Sequence, residues 1–186
     1  MNLAEVIRDH MGITKFTKAD ACKRNNGPTD LVPMVVWIDE NDQTNAAVVE
    51  VKGNTMEYMP KVLGFMAQQN PKVVVFIAES LAKTVDSPED LEKYLADHKP
   101  GDLRKQYEAR GPLSGIQELI AFNGIDMATG KQAQGVVKFS YDDQGMPVFD
   151  ETEVNEVPEN HVDRANVTWL FDKFYGFMKA QQAEQN

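Results

Sequence analysis

The most distinctive hydrophobic run in the chain does not alternate. Val73 to Ile77, followed by Ala78, is apolar at every position, and so is Met34 to Ile38. Runs of this length without polar interruption predict strands covered on both faces. Residues 46–52 behave differently. Ala47, Val49 and Val51 fall on one side, and Val48, Glu50 and Lys52 on the other. That alternation predicts a half-exposed strand, joined to 34–38 as a hairpin through the polar stretch DENDQTN. Met59, Leu63 and Met66 then recur at helical spacing. Pro60 belongs in a first helical turn, which puts the regular start near Tyr58 or Met59, and Asn70-Pro71 ends the helix. A strand–helix–strand step of this kind predicts that 71–80 runs parallel to its predecessor or to another neighbour in the sheet.

Ser87-Pro88-Glu89-Asp90 is a helix start, with a serine cap, proline at the first position and acids in the first turn. Asp102 to Arg110 adds a turn or two more. Three strands follow, at 116–122, 135–141 and 146–152, the last two joined by the turn Asp143-Gln144-Gly145. At the ends of the chain the period is helical. Leu3, Val6, Ile7 and Met11 predict a short amphipathic helix, and Thr17-Lys18-Ala19-Asp20 reads as the cap of a second, stopping at Asn25-Asn26-Gly27-Pro28. Val162, Ala165, Trp169, Leu170, Phe174, Phe177 and Met178 form an apolar stripe on a C-terminal helix, with Phe171 and Tyr175 partly off it. The fold expected is α+β: one domain over 1–186, a mixed sheet of about six strands packed by helices. Residues 1–30 form a peripheral helical segment, and 158–186 a long amphipathic helix.

Composition adds little to this and charge adds more. With 42% hydrophobic and 26% charged residues the chain is an ordinary globular one. No apolar run approaches the ~20 residues of a membrane span. The first residues, MNLAEVIRDHMG, lack the apolar centre of a secretory signal, and a single cysteine makes no internal disulfide, so a cytoplasmic location is expected. The net charge of −10 is unevenly spread: residues 116–157 hold two bases and eight acids, a net of −6, and no Lys or Arg occurs from Phe139 to Asp163. Such a surface repels a phosphate backbone and argues against direct nucleic-acid binding.

Most sequence motifs reduce to structural readings. Gly124 to Gln132 resembles a phosphate loop, but five residues separate Gly124 from Gly130 where four are required. Gln132 also replaces the metal-binding hydroxyl, and the stretch lies between two strands, as a hairpin loop would. His10, His98 and His161 are widely separated, and the acids from Asp142 to Glu159 lack calcium-loop spacing, so no metal or other cofactor is expected. Cys22 sits beside Lys23 and Arg24 with no base at a recognisable spacing. Ser114 is a loop serine.

That leaves Glu79 and Ser80, where the covered strand meets polar sequence. Sites in sheets with helical crossovers gather at the carboxyl ends of strands, and a carboxyl raised by apolar neighbours serves as an acid or base. The alternative is structural: Ser80 caps a helix at 81–85, and Glu79 pairs with Arg104 or Arg110.

The order of these pieces carries a resemblance. An apolar strand ending in Ala78-Glu79-Ser80-Leu81, about thirty polar residues with Arg104 and Arg110, then Gln117-Glu118-Leu119-Ile120 opening a strand and hairpin, is similar to small proteins encoded by phages and prophages. The resemblance covers about residues 34–142 and implies a phage origin, with no activity and no catalytic residue.

The sequence therefore points to a non-enzymatic accessory protein that binds another protein. The base-free acidic segment (Asp150, Glu151, Glu153) and the aromatic helix (Trp169, Phe174) are the candidate contacts, and self-association is a further use of the same helix. Two other classes are a small hydrolase or small-ligand binder using Glu79, and an acidic mimic of nucleic acid.

Overall fold

The computed structural model describes residues 2–50, 55–83, 87–97, 102–157 and 167–184. Its elements in chain order are α1 (Leu3–Asn25), β1 (Met34–Ile38), β2 (Thr44–Val48), α2 (Thr55–Gln69), β3 (Val73–Lys83), α3 (Pro88–Asp97), α4 (Asp102–Arg110), a 3-10 turn (Gly111–Ser114), β4 (Ile116–Asp126), β5 (Gln132–Tyr141), β6 (Pro147–Glu156) and α5 (Val167–Glu184). The α+β class holds. The six strands form one sheet in the order β2-β1-β3-β4-β5-β6.

Every hydrogen-bonded pair in this sheet is antiparallel, so its pairing is not mixed. β3 does run in the same direction as β2, as the crossover rule requires, but β1 lies between them and pairs with both. The step from β2 through α2 therefore skips one strand.

The two non-alternating runs are covered on both faces. On β3, Val74 and Phe76 join Tyr58, Met59, Val62, Leu63 and Met66 of α2 and Leu170, Phe171, Phe174 and Met178 of α5 in one cluster. Val73, Val75 and Ile77 face the other way, into a second cluster with Leu3, Ile7 and Met11 of α1 and Ile120, Phe122, Val137 and Phe139 of the sheet. The molecule is thus three layers: α1, the sheet, and α2 with α5.

Both terminal helices differ from expectation. α1 is one helix of 23 residues, not two short ones, and it is not peripheral. Its buried positions, Leu3, Ile7, Met11, Thr14, Lys18 and Cys22, step by four or three without interruption. Thr17 bonds back to the Ile13 carbonyl at 2.9 Å instead of capping a second helix. Two glycines of the sheet let α1 approach: a Cβ on Gly135 would stand 2.6 Å from Ile7 Cγ2, and one on Gly124 2.9 Å from Leu3 Cδ1. At the other end, α5 has 18 residues and is shorter than α1, not a long helix. Its stripe is rotated: Leu170, Phe171, Phe174 and Met178 are buried, whereas Phe177 is 52% exposed. Residues 158–166 lie outside those described, and with them Val162 and Ala165. α2 starts at Thr55 and carries Pro60 within it, held by the packing of Tyr58, Met59 and Val62.

Candidate functional site

β3 alternates sides, so the position after Val75 and Ile77 on the α1 face is Glu79. The strand does not end there. β3 pairs with β4 over eleven residues, Val73↔Asp126 to Lys83↔Ile116, which keeps Glu79 and Ser80 inside the ladder. Ser80 is consequently an exposed strand residue opposite Leu119 and caps no helix. The cap that does form is Ser87, whose hydroxyl accepts from the Asp90 N–H at 3.1 Å.

Glu79 is largely buried, and its partner is Lys18 of α1, not Arg104 or Arg110. Lys18 is 0% exposed. Its ammonium contacts Glu79 Oε1 and donates to the Thr29 carbonyl at 2.6 Å. It also stands 4.8 Å from the centroid of the Phe139 ring and 5.3 Å from that of Tyr141, within cation–π range. The same Glu79 oxygen accepts the Leu31 N–H at 3.0 Å. One carboxylate thus ties α1, the α1–β1 connection and β3 together.

The charges in this cluster respond to burial in opposite ways. Burial acts against the Lys18 ammonium, but the hydrogen bonds and charge of Glu79 and Tyr141 outweigh it and hold its pKa above the ordinary value. For Glu79 burial is the stronger influence: it raises the carboxyl above the usual range despite Lys18 and the Leu31 N–H. Tyr141 is raised by burial as well, against the pull of Lys18.

Beside this pair lies a cleft of ≈ 190 Å³ lined by Asp30, Glu79, Ser80, Leu81, Arg104, Tyr107, Glu108, Glu118 and Phe139. The sheet register places Leu81 opposite Glu118 and Glu118 opposite Phe139, and α4 contributes Arg104, Tyr107 and Glu108. Tyr107 donates its hydroxyl to Glu118 Oε2 at 2.7 Å, and burial together with that bond raises its pKa. Four carboxylates therefore surround the cleft against one lining arginine and the enclosed Lys18. Its chemistry suits a cation. Within the cleft, Oε1 of Glu79 is engaged by Lys18 and the Leu31 N–H.

The remaining candidates are dispersed. Asp150 and Glu153 are exposed on β6, an edge strand. A bulge opposite Lys138 interrupts its pairing, since Val137 faces Thr152 and Phe139 faces Phe149. Charges and a bulge on an edge discourage strand addition, which is a sufficient structural role. Glu153 and Glu156 lie on opposite faces of the strand and form no single row. Asp142 is taken up by its turn, accepting from the Gln144 and Met146 N–H groups. Phe174 is 4% exposed and packs in the core, so it is not a partner contact. The side chains of Glu151 and Trp169 are outside those described. The Gly124–Gln132 stretch is a hairpin turn in which Asp126 accepts from the Ala128 N–H at 2.8 Å. Cys22 is buried beneath Thr29, and Ser114 closes its own turn onto the Gly111 carbonyl. His98 and His161 fall outside the described residues. Among those described, no cluster of His, Cys, Asp and Glu is arranged to hold a metal, and no helix is long and apolar enough to cross a membrane.

Lys18, Tyr107 and Glu118 belong to no functional motif in the sequence. A signal for Lys18 was present: it continues the four-and-three spacing of Leu3, Ile7, Met11 and Thr14, so it faces the sheet. Nothing local marks Tyr107 and Glu118, which meet only once α4 folds over β4. No protein-family model, curated protein or solved structure matches this chain.

Proposed function

We propose that the chain is a non-enzymatic accessory protein that binds a protein partner through a basic side chain seated in the cleft beside Glu79. The observation that carries this reading is the charge of the cleft: Asp30, Glu108 and Glu118 face it with Arg104 as the lining base, while Glu79 is neutralised by Lys18 behind. Its volume supports a side chain over a whole ligand, since small-molecule sites run to about 300–1,000 Å³. Tyr107 and Phe139 supply ring surface beside the carboxylates, a combination that favours lysine or arginine. The acidic edge at Asp150 and Glu153 adds long-range attraction for the same partner. The resemblance to phage-encoded proteins fits an accessory role of this kind.

The test is a titration with an unstructured lysine- and arginine-rich peptide, followed by backbone amide NMR. Shifts should concentrate at residues 30, 79–81, 104–108 and 118, and affinity should fall as salt rises. Glu108→Gln with Glu118→Gln should abolish the localised shifts, whereas Asp150→Asn with Glu153→Gln should mainly slow association. Diffuse shifts that follow overall charge, with no response to the Glu108/Glu118 pair, would reject the cleft as the site.

A further inference from the structure

The outward side of α1 carries a second pattern, independent of the cleft. Phe16 is 74% exposed and Ile13 62% exposed, on the side of the helix opposite the Leu3–Cys22 stripe. Gly12 lies one turn before Phe16, and a Cβ there would meet nothing within 4 Å. Glycine in a helix interior is unfavourable relative to alanine, and no contact among the described residues calls for it here.

The exposed Glu5, Asp9, Gly12, Phe16 and Lys23, with the half-buried Ala19, step by four, three, four, three and four. This is the spacing of a coiled-coil seam. It is also symmetric about residue 14. Laid antiparallel on a second copy of itself, the seam sets Phe16 against Gly12, Asp9 against Ala19 and Glu5 against Lys23. Each aromatic ring meets the one position without a side chain, and each acidic end meets a basic one. Ile13 flanks the two-fold axis, close to its own copy. Acids early and bases late in a helix also suit its dipole; that account leaves the exposed Phe16 and the bare Gly12 unexplained.

We infer that α1 is a self-association surface, and that the chain forms a two-fold dimer in which the α1 helices pack antiparallel through Gly12, Phe16 and the Glu5–Lys23 ends. Self-complementarity about one axis is what an isologous contact demands.

The full chain should sediment as a monomer–dimer equilibrium between micromolar and millimolar concentration. Phe16→Asp should weaken the dimer about a hundredfold or more, because an aromatic anchor occurs twice across the axis. Gly12→Tyr, which has open space in the monomer, should leave the folded spectrum intact and likewise remove the dimer. Glu5→Lys should weaken association, and adding Lys23→Glu should restore it, because the swapped charges again face each other. The inference is overturned if the chain stays monomeric at millimolar concentration, if neither Phe16→Asp nor Gly12→Tyr moves the dissociation constant, or if the Glu5/Lys23 double change is no tighter than Glu5→Lys alone.

Discussion

Separating Lys18 from Glu79 tests the part of the molecule on which most elements converge. Removing one member of a buried ion pair costs about 3–5 kcal/mol, because the other charge is left enclosed. Glu79→Gln belongs near the top of that range: Lys18 is fully enclosed and would keep the Thr29 carbonyl, Tyr141, the Phe139 ring and neutral acceptors, with no charge to balance its own. Lys18→Met belongs near the bottom, since Glu79 borders the cleft and can take up a proton there. At roughly 2–4 °C per kcal/mol for a chain of this size, each change lowers the melting temperature by about 6–20 °C. The double change should recover most of the loss and lie within about 1–2 kcal/mol of the native chain. The glutamine still accepts from Leu31, the methionine fills space beside Phe139, and the Thr29 carbonyl keeps only the weak Cys22 thiol contact. Urea unfolding with an unchanged m-value is the assay. The pH dependence carries a sign as well. Lys18 has a folded-state pKa above its ordinary 10.5, so its contribution is complete below pH 10.5 and disappears as pH rises through the higher folded value. The gap between native and Lys18→Met stability should therefore be flat from neutral pH to about 10 and close above it. Single changes costing under about 1 kcal/mol, or a double change as costly as the sum of the two, would refute the enclosed pair.

Two further outcomes follow from packing. Gly135→Val drives a branched side chain into Ile7 and Met11 and should cost about 1–3 kcal/mol or more, whereas Gly64→Ala in α2, with nothing within 4 Å of its Cβ, should stabilise by up to about 1 kcal/mol; denaturant midpoints compare the two directly. Phe174→Ala should cost about 3–5 kcal/mol, and Phe177→Ala, three residues along the same helix, should stay within about 0.5 kcal/mol by thermal melting.

What could be read from the sequence was mostly what depends on near neighbours. The unbroken apolar runs at 34–38 and 73–77 gave two-faced strands because burial on both sides removes alternation. Ser87 gave its cap because the acceptor lies three residues from the donor. The errors arose where distant segments decide. Lys18 looked like a cap flank because its carboxylate lies sixty-one positions away, and charged side chains are seldom enclosed without such a partner. β1 sits between β2 and β3 because its two edges are satisfied by different segments, and local periodicity carries no record of strand order. The α5 stripe was misplaced by about one residue because Phe171 and Phe177 are equally apolar; the packing against α2 chooses between them.

The three-layer arrangement also imposes a delay on synthesis. α1 is made before the sheet that covers it, and the Phe139 and Tyr141 rings that enclose Lys18 come about 120 residues after it. At ~5–20 residues per second the helix waits roughly 6–25 s for its cover. During that interval its apolar stripe is open to whatever surrounds the nascent chain. Lys18, between Thr14 and Cys22, is then a hydrated charge on a stripe that is otherwise mostly apolar. A residue that ends fully enclosed is, until the sheet closes, the one that makes the helix least adhesive.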